Sequence, residues 1–187
     1  MRKIAFEWAF GYNENAKQPR GESTRIRIYP IETKDIEDVA PLVAAFRVTL
    51  RTYKGIESDP DLASAKEELL DFINRGYPIF AAEDRGKPVG YIVCRMGDGL
   101  LWAEHLYVCE QYRRQGVASM LFAKAEEISA AMGQDTVFNY VHPNNDGMIA
   151  FLRSKGYTVL NLIEIRKPYA GEKTKSVIRV ENNTFDY

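Results

Sequence analysis

The stretch that most constrains this chain runs from Trp102 to Met132, WAEHLYVCEQYRRQGVASMLFAKAEEISAAM. Trp102 to Cys109 is rich in β-formers and reads as a strand. After Ala118 the residues Met120, Leu121, Ala125, Ile128 and Met132 recur at helical spacing, which gives the segment one apolar face. Between them lies Tyr112-Arg113-Arg114-Gln115-Gly116-Val117-Ala118-Ser119, a basic turn at a helix N-terminus. The N–H groups of a first helical turn lack intrahelical partners, and that end of the helix dipole is positive. Small residues at Gly116, Ala118 and Ser119 let an anion approach the backbone closely. Arg113 and Arg114 add mobile positive charge beside it. The turn is a chemically sensible seat for a pyrophosphate; an ordinary strand-to-helix turn with solvated arginines accounts for the same residues.

Composition narrows the setting. With 187 residues the chain suffices for one domain with a real core and some decoration. Its net charge of −1 gives no general reason to bind nucleic acid or a membrane surface. No apolar run is long enough to span a bilayer, and Met1–Asn15 lacks the long apolar core of a cleavable signal. A cytoplasmic protein is therefore expected. Cys94 and Cys109 each sit in an apolar strand and read as buried free thiols, with a disulfide unneeded in a reducing compartment. The two histidines, His105 and His142, show no ligand spacing with them, so no metal site is expected.

The remaining chain divides readily. Met1–Glu22 reads as an arm and linker, with a strand or docked segment over Ile4–Phe10. A strand is expected over Thr24–Tyr29, then a helix with Thr33 as N-cap running towards Leu50 or Tyr53. Pro41 must either kink that helix or begin it. A second helix is expected over Asp61–Asn74. Strands at Tyr77–Ala82, Val89–Met96 and Leu100–Cys109 form an antiparallel meander, turned at Glu83–Lys87 and Gly97–Gly99. After the long helix stops at Gly133, a strand at Thr136–Val141, a helix at Asn145–Lys155 and a strand at Thr158–Arg166 follow. The tail from Tyr169 holds a possible extra strand at Ser176–Val180 before a polar, frayed end.

Arg113-x-x-Gly116-x-Ala118 resembles the Arg/Gln-x-x-Gly-x-Gly/Ala signature with which GNAT acyltransferases bind the acetyl-CoA pyrophosphate. Leu106-Tyr107-Val108 resembles the strand leading into it. Asn145-x-x-x-Ile149-x-Phe151-x-x-x-x-Gly156-Tyr157 is similar to the family's Asn-x-x-Ala-Ile-x-x-Tyr-x-x-x-Gly-Phe segment. The likeness covers roughly residues 24–167. It implies an α/β (α+β) GNAT acyl-CoA N-acyltransferase fold, with a mixed, mostly antiparallel sheet flanked by helices. The division expected is an arm at 1–22, the acetyltransferase domain at 23–168 and a tail at 169–187.

The resemblance further implies an acetyl-CoA-dependent N-acetyltransferase acting on a primary amine by direct attack in a ternary complex. The pyrophosphate would sit on the backbone of Arg114, Gln115, Gly116, Val117, Ala118 and Ser119, beside Arg113. The pantetheine arm would lie along Leu106, Tyr107 and Val108, with the Val108 or Leu106 amide donating to the thioester oxygen. Asn145 would hydrogen-bond the pantetheine, cap its helix, or do both.

Glu104 falls where many family members carry an acidic residue and is the first candidate base, with His105 the alternative. On a regular strand these neighbours point to opposite faces. The family's tyrosine falls at Leu152, which cannot protonate the leaving thiolate. Tyr157, Tyr140, Tyr107 and Cys109 stand as substitutes, or the thiolate leaves without direct protonation. The acceptor pocket would involve residues 47–60 and 159–165, with Phe46, Tyr53, Glu57 and Asp59 beside the first stretch. Acceptors range from a small metabolite or antibiotic-like amine to a peptide N-terminus or a lysine. An acyl-CoA-binding sensor with little catalysis is the alternative function, and a homodimer is a reasonable expectation because arm and tail could add strands at a sheet edge.

Overall fold

The computed structural model describes residues 26–171, 174 and 176–187. The arm, its strand at Ile4–Phe10 and the linker lie outside these residues. The described chain forms two compact units that divide after Asn145.

In the first unit the strands are β1 (Ile26–Pro30), β2 (Ile79–Asp84), β3 (Lys87–Gly97), β4 (Leu100–Val108) and β5 (Phe138–Asn139), and they form a sheet in that order. β1 to β4 are antiparallel and β5 joins β4 in parallel, which gives the mixed, mostly antiparallel sheet the sequence predicts. The helices are α1 (Ile36–Tyr53), α2 (Leu62–Asn74) and α3 (Val117–Ala131). One face of the sheet, through Tyr91 and Val93, shares a buried core with Val39, Val43, Ala65 and Leu69 of α1 and α2. On the other face Gly90 backs onto α3. A Cβ at Gly90 would stand 2.8 Å from the Tyr107 carbonyl oxygen and 3.3 Å from Leu121 Cδ1, so only glycine lets strand and helix meet this closely.

Several local details depart from expectation. Thr33 does not cap α1. It opens a 3₁₀ turn, Thr33–Asp35, capped by Glu32, whose N–H donates to Asp35 Oδ2 at 2.8 Å. α1 starts at Ile36 and continues through Pro41, which forgoes only its own bond to the carbonyl one turn back. Asp61 caps α2 by accepting from the Ser64 N–H at 3.0 Å. The strand expected over Thr136–Val141 shrinks to Phe138–Asn139, the only residues there that ladder with β4.

The second unit holds α4 (Asp146–Ser154) and a hairpin of β6 (Val177–Val180) with β7 (Asn183–Asp186). The tail strand is thus present, and the end expected to fray forms its partner. The strand expected over Thr158–Arg166 does not form: Val159, Leu160, Leu162 and Ile165 are exposed in irregular chain. β-propensity measures how a residue fits a ladder and does not supply the ladder. Both cysteines are free, and burial pushes the Cys94 thiol up to about 12.

Candidate active site

At the end of β4 the chain turns into α3 through Arg114 and Gly116, both with positive φ (62° and 84°). The first intrahelical bond of α3 runs from the Met120 N–H to the Gly116 carbonyl at 3.0 Å. Among the described residues, the amides of Arg114, Gln115, Gly116, Val117, Ala118 and Ser119 donate to no backbone carbonyl. They mark the positive end of a helix anchored by buried Val117, Leu121 and Phe122, with Arg114, Gln115 and Gly116 exposed at the turn. A Cβ at Gly116 would meet nothing within 4 Å, so the space above this turn is open. Arg113 is less mobile than its sequence suggests. Its Nε donates to the Val108 carbonyl at 3.0 Å and its guanidinium lies 5.8 Å from the Tyr107 ring centre. Gln115 is held through Nε2 to the Gln111 carbonyl at 2.7 Å.

The strand preceding this turn has one open stretch of edge. β5 pairs only with Trp102 and Ala103, so beyond them β4 has no strand partner on that side among the described residues. The Cys109 N–H points the other way, to the Val89 carbonyl at 2.8 Å. By strand alternation the N–H groups of Leu106 and Val108 therefore line the open edge. A short turn, in which the Cys109, Tyr112 and Arg113 amides bond to backbone carbonyls, separates them from the amides at the start of α3.

The same place carries a β-bulge. Val93 pairs with His105 and Cys94 with Ala103, so Glu104 is an extra residue in β4. This overturns the expectation that Glu104 and His105 face opposite ways. Glu104 Oε2 accepts from Arg95 Nε at 2.7 Å, while His105 Nδ1 lies 3.1 Å from the Tyr91 hydroxyl. Tyr91, Val93 and Arg95 alternate onto one face of β3, and both neighbours reach that face. Arg95 is also spread over the Trp102 ring at 5.2 Å, and Trp102 stacks on Tyr140 at 4.5 Å.

His105 occupies a dry setting. It is 8% exposed and lies 4.7 Å from Phe46 and 5.2 Å from Phe72, ring centre to ring centre. Burial first, then the positive charge of Arg47, pulls its pKa down to about 3. It therefore stays neutral at ordinary pH and is a weak proton acceptor. Its Nε2 lies 3.7 Å from Glu68 Oε1, and Glu68 is clamped by both Arg47 Nε, at 2.7 Å, and Arg47 Nη2. Arg47, Glu68 and Tyr91 escape a motif reading because they come from α1, α2 and β3. The available signal is a single acid, Glu68, beside the apolar face of α2.

The remaining predicted residues divide between the units. Asn145 Oδ1 accepts from the Tyr53 hydroxyl at 3.1 Å, and Asn144 Nδ2 donates to the Tyr53 carbonyl at 3.0 Å. Glu57 and Asp59 are exposed on the loop between α1 and α2. In the second unit Leu152 is buried on α4, and the Tyr157 N–H closes that helix by donating to the Leu152 carbonyl at 3.0 Å. Among the described residues no three His, Cys, Asp or Glu side chains converge as a metal site, and no helix is long and apolar enough to cross a membrane.

The architecture is shared with solved acetyltransferases. PaiA N-acetyltransferase from Thermoplasma acidophilum, solved with coenzyme A, matches with a TM-score of 0.59 and 23% identity, over 70% of this chain and 87% of its own. The ribosomal-protein-alanine N-acetyltransferase of Brucella melitensis biovar Abortus 2308 matches at 0.60 and 17%, over 77% and 99%. An aminoglycoside N-acetyltransferase in complex with CoA matches at 0.61 and 17%, over 81% and 99%. At these identities the likeness shows the fold. No curated protein matches the chain in sequence. The acetyltransferase (GNAT) family profile matches residues 42–157, which take in most of α1, the bulged strand, the α3 turn and α4, and the chain belongs to that family.

Proposed function

We propose that this protein is an acetyl-CoA-dependent N-acetyltransferase that acetylates a primary amine by direct attack within a ternary complex. The observation that carries the reading is a pair of neighbouring donor sets, the open Leu106 and Val108 edge of β4 and, after Arg113, the Arg114–Ser119 amides that have no backbone acceptor. A pyrophosphate fits the turn, and an extended amide-bearing arm fits the strand edge as an added strand would. Solved relatives of the same fold contain coenzyme A.

In the reaction the amine nitrogen attacks the thioester carbonyl, the C–N bond forms and the C–S bond breaks. The electron pair leaves with sulfur as CoA thiolate. A backbone N–H of Leu106 or Val108 stabilises the carbonyl oxygen as it gains charge. Glu104, part-exposed and held in direction by Arg95, takes the amine proton directly or through water. The neutral, enclosed His105 is a weaker base, so Glu104 ranks first. Tyr157 remains the candidate acid for the thiolate in place of a tyrosine at Leu152, and Asn145 a pantetheine contact. The acetyltransferase domain spans 23–168, the protein acts in the cytoplasm, and a homodimer is a consistent assembly. Amines similar to those of aminoglycosides are reasonable acceptors to test, because several solved relatives are aminoglycoside acetyltransferases.

The buried Leu152 favours one other reading, a CoA-binding sensor that transfers little. Calorimetric titration with acetyl-CoA and CoA, beside Gly116→Glu, tests the cofactor seat, and an amine screen with thiol release tests transfer. Binding lost in the variant, together with turnover, supports the enzyme. Binding without turnover on any amine favours the sensor, and no binding to folded wild type removes both.

A further inference from the structure

Away from the proposed cofactor seat, Arg47, Glu68, His105 and Tyr91 form a polar chain drawn from α1, α2, β4 and β3. A carboxylate inside an apolar face is costly unless its charge is met, and Glu68 is met from one side by both donors of Arg47. Its other neighbour is His105 Nε2 at 3.7 Å, close enough for a strong field and longer than a hydrogen bond. The far ring nitrogen, Nδ1, faces the hydroxyl of fully buried Tyr91 at 3.1 Å. Burial and the Glu68 charge push the Tyr91 hydroxyl well above its usual pKa, so it keeps its proton. Only one proton order avoids like poles meeting: Nε2–H towards the Glu68 carboxylate, and Tyr91 O–H donating to Nδ1. The reverse tautomer sets the Nε2 lone pair against the carboxylate.

This order matters because His105 is the first laddered residue after the bulge that carries Glu104. We propose that Glu68, clamped by Arg47, is a positioning residue for acetyl transfer: it fixes His105 as the Nε2–H tautomer and thereby holds the bulge that aims Glu104. The inference rests on the acetyltransferase reading above. Glu68 itself touches no reacting atom. Its effect runs through strand geometry, where small displacements of a base carry large rate costs.

The test pairs a spectroscopic and a kinetic readout. With ¹⁵N-histidine labelling there are two imidazoles, His105 and His142, and His142→Gln assigns them. The expected spectrum shows His105 neutral with its proton on Nε2, unchanged from pH 8 to pH 5; an Nδ1–H tautomer or an even mixture overturns the proposal. Glu68→Gln keeps the shape and removes the charge. It is expected to lower kcat at least about tenfold with the KM for acetyl-CoA within about twofold of wild type. If Glu68→Gln does not fold, Tyr91→Phe carries the same kinetic test from the other end of the chain. Turnover in wild type with kcat unchanged in the folded variant overturns the positioning role alone. A wild type that transfers nothing sinks the acetyltransferase reading and the positioning role together.

Discussion

Arg95 holds Glu104 through a 2.7 Å bond from Nε to Oε2, and this fixes the direction of the one residue that the β3–β4 ladder leaves out. Arg95 lies on the face of β3 that also carries Tyr91, so the extra residue turns a carboxylate onto the His105 side, away from which a regular strand would have pointed it. Glu104→Gln should retain this contact's size while removing the proton acceptor. The expected result is a fall in kcat of about 10²-fold or more with the acetyl-CoA dissociation constant unchanged. Steady-state turnover and calorimetry on the same preparation check it; unchanged kcat would remove Glu104 as the base.

Stability should depend on pH through His105. The groups facing it are Arg47 from α1, Glu68 from α2 and Tyr91 from β3. Its pKa is about 3 in the folded protein against about 6.5 in the unfolded chain. Below pH 6.5 the unfolded chain gains a proton that the folded protein refuses, so stability falls as pH drops towards 3. The linkage amounts to about 1.4 kcal/mol per pH unit in that window, or about 2 kcal/mol between pH 7 and pH 5. Urea melts at both pH values, compared with His105→Gln, measure it; an equal pH response in the variant would refute the assignment.

Two glycines should respond differently to alanine. At Gly116 the obstacle is backbone conformation alone, since φ is 84° and no atom lies within 4 Å of a Cβ. Gly116→Ala should cost about 1–2 kcal/mol. At Gly90 the added carbon meets the Tyr107 carbonyl oxygen at 2.8 Å and must part β3 from β4 and α3. Gly90→Ala should cost about 1–3 kcal/mol through overpacking and, if β4 forms the proposed cofactor edge, also weaken CoA binding. Denaturant melts with parallel calorimetry separate the two: a normal CoA affinity in Gly90→Ala would argue against β4 as that edge.

The Tyr53 hydroxyl joins the end of α1 to Asn145, and the Tyr53 ring stacks at 5.8 Å on His142. Tyr53→Phe keeps the stack and deletes the bond. A loss of about 1 kcal/mol in stability is expected, with a several-fold rise in KM for acetyl-CoA if Asn145 contacts the pantetheine. A KM that stays put would detach Asn145 from the cofactor.

Sequence periodicity and local chemistry determined most of the frame. The meander, the helix that follows Arg113–Gly116 and the glycine turn itself were legible because each is specified by neighbours within a few residues: alternating apolar strands, a helical apolar face, and a position that needs positive φ. Some boundaries shifted through competing local contacts, as at Glu32, whose capping box with Asp35 opens a 3₁₀ turn at Thr33 ahead of α1. The segment Thr158–Arg166 has strand composition and forms no strand, since a ladder needs a partner that composition cannot supply. Tertiary structure alone decided the two features that shape the candidate site. The bulge at Glu104 is a matter of register between β3 and β4, and register is set by pairing rather than by the residues of one strand. The Arg47–Glu68–His105–Tyr91 chain draws each member from a different element, so its charges meet only after the sheet and both helices have packed.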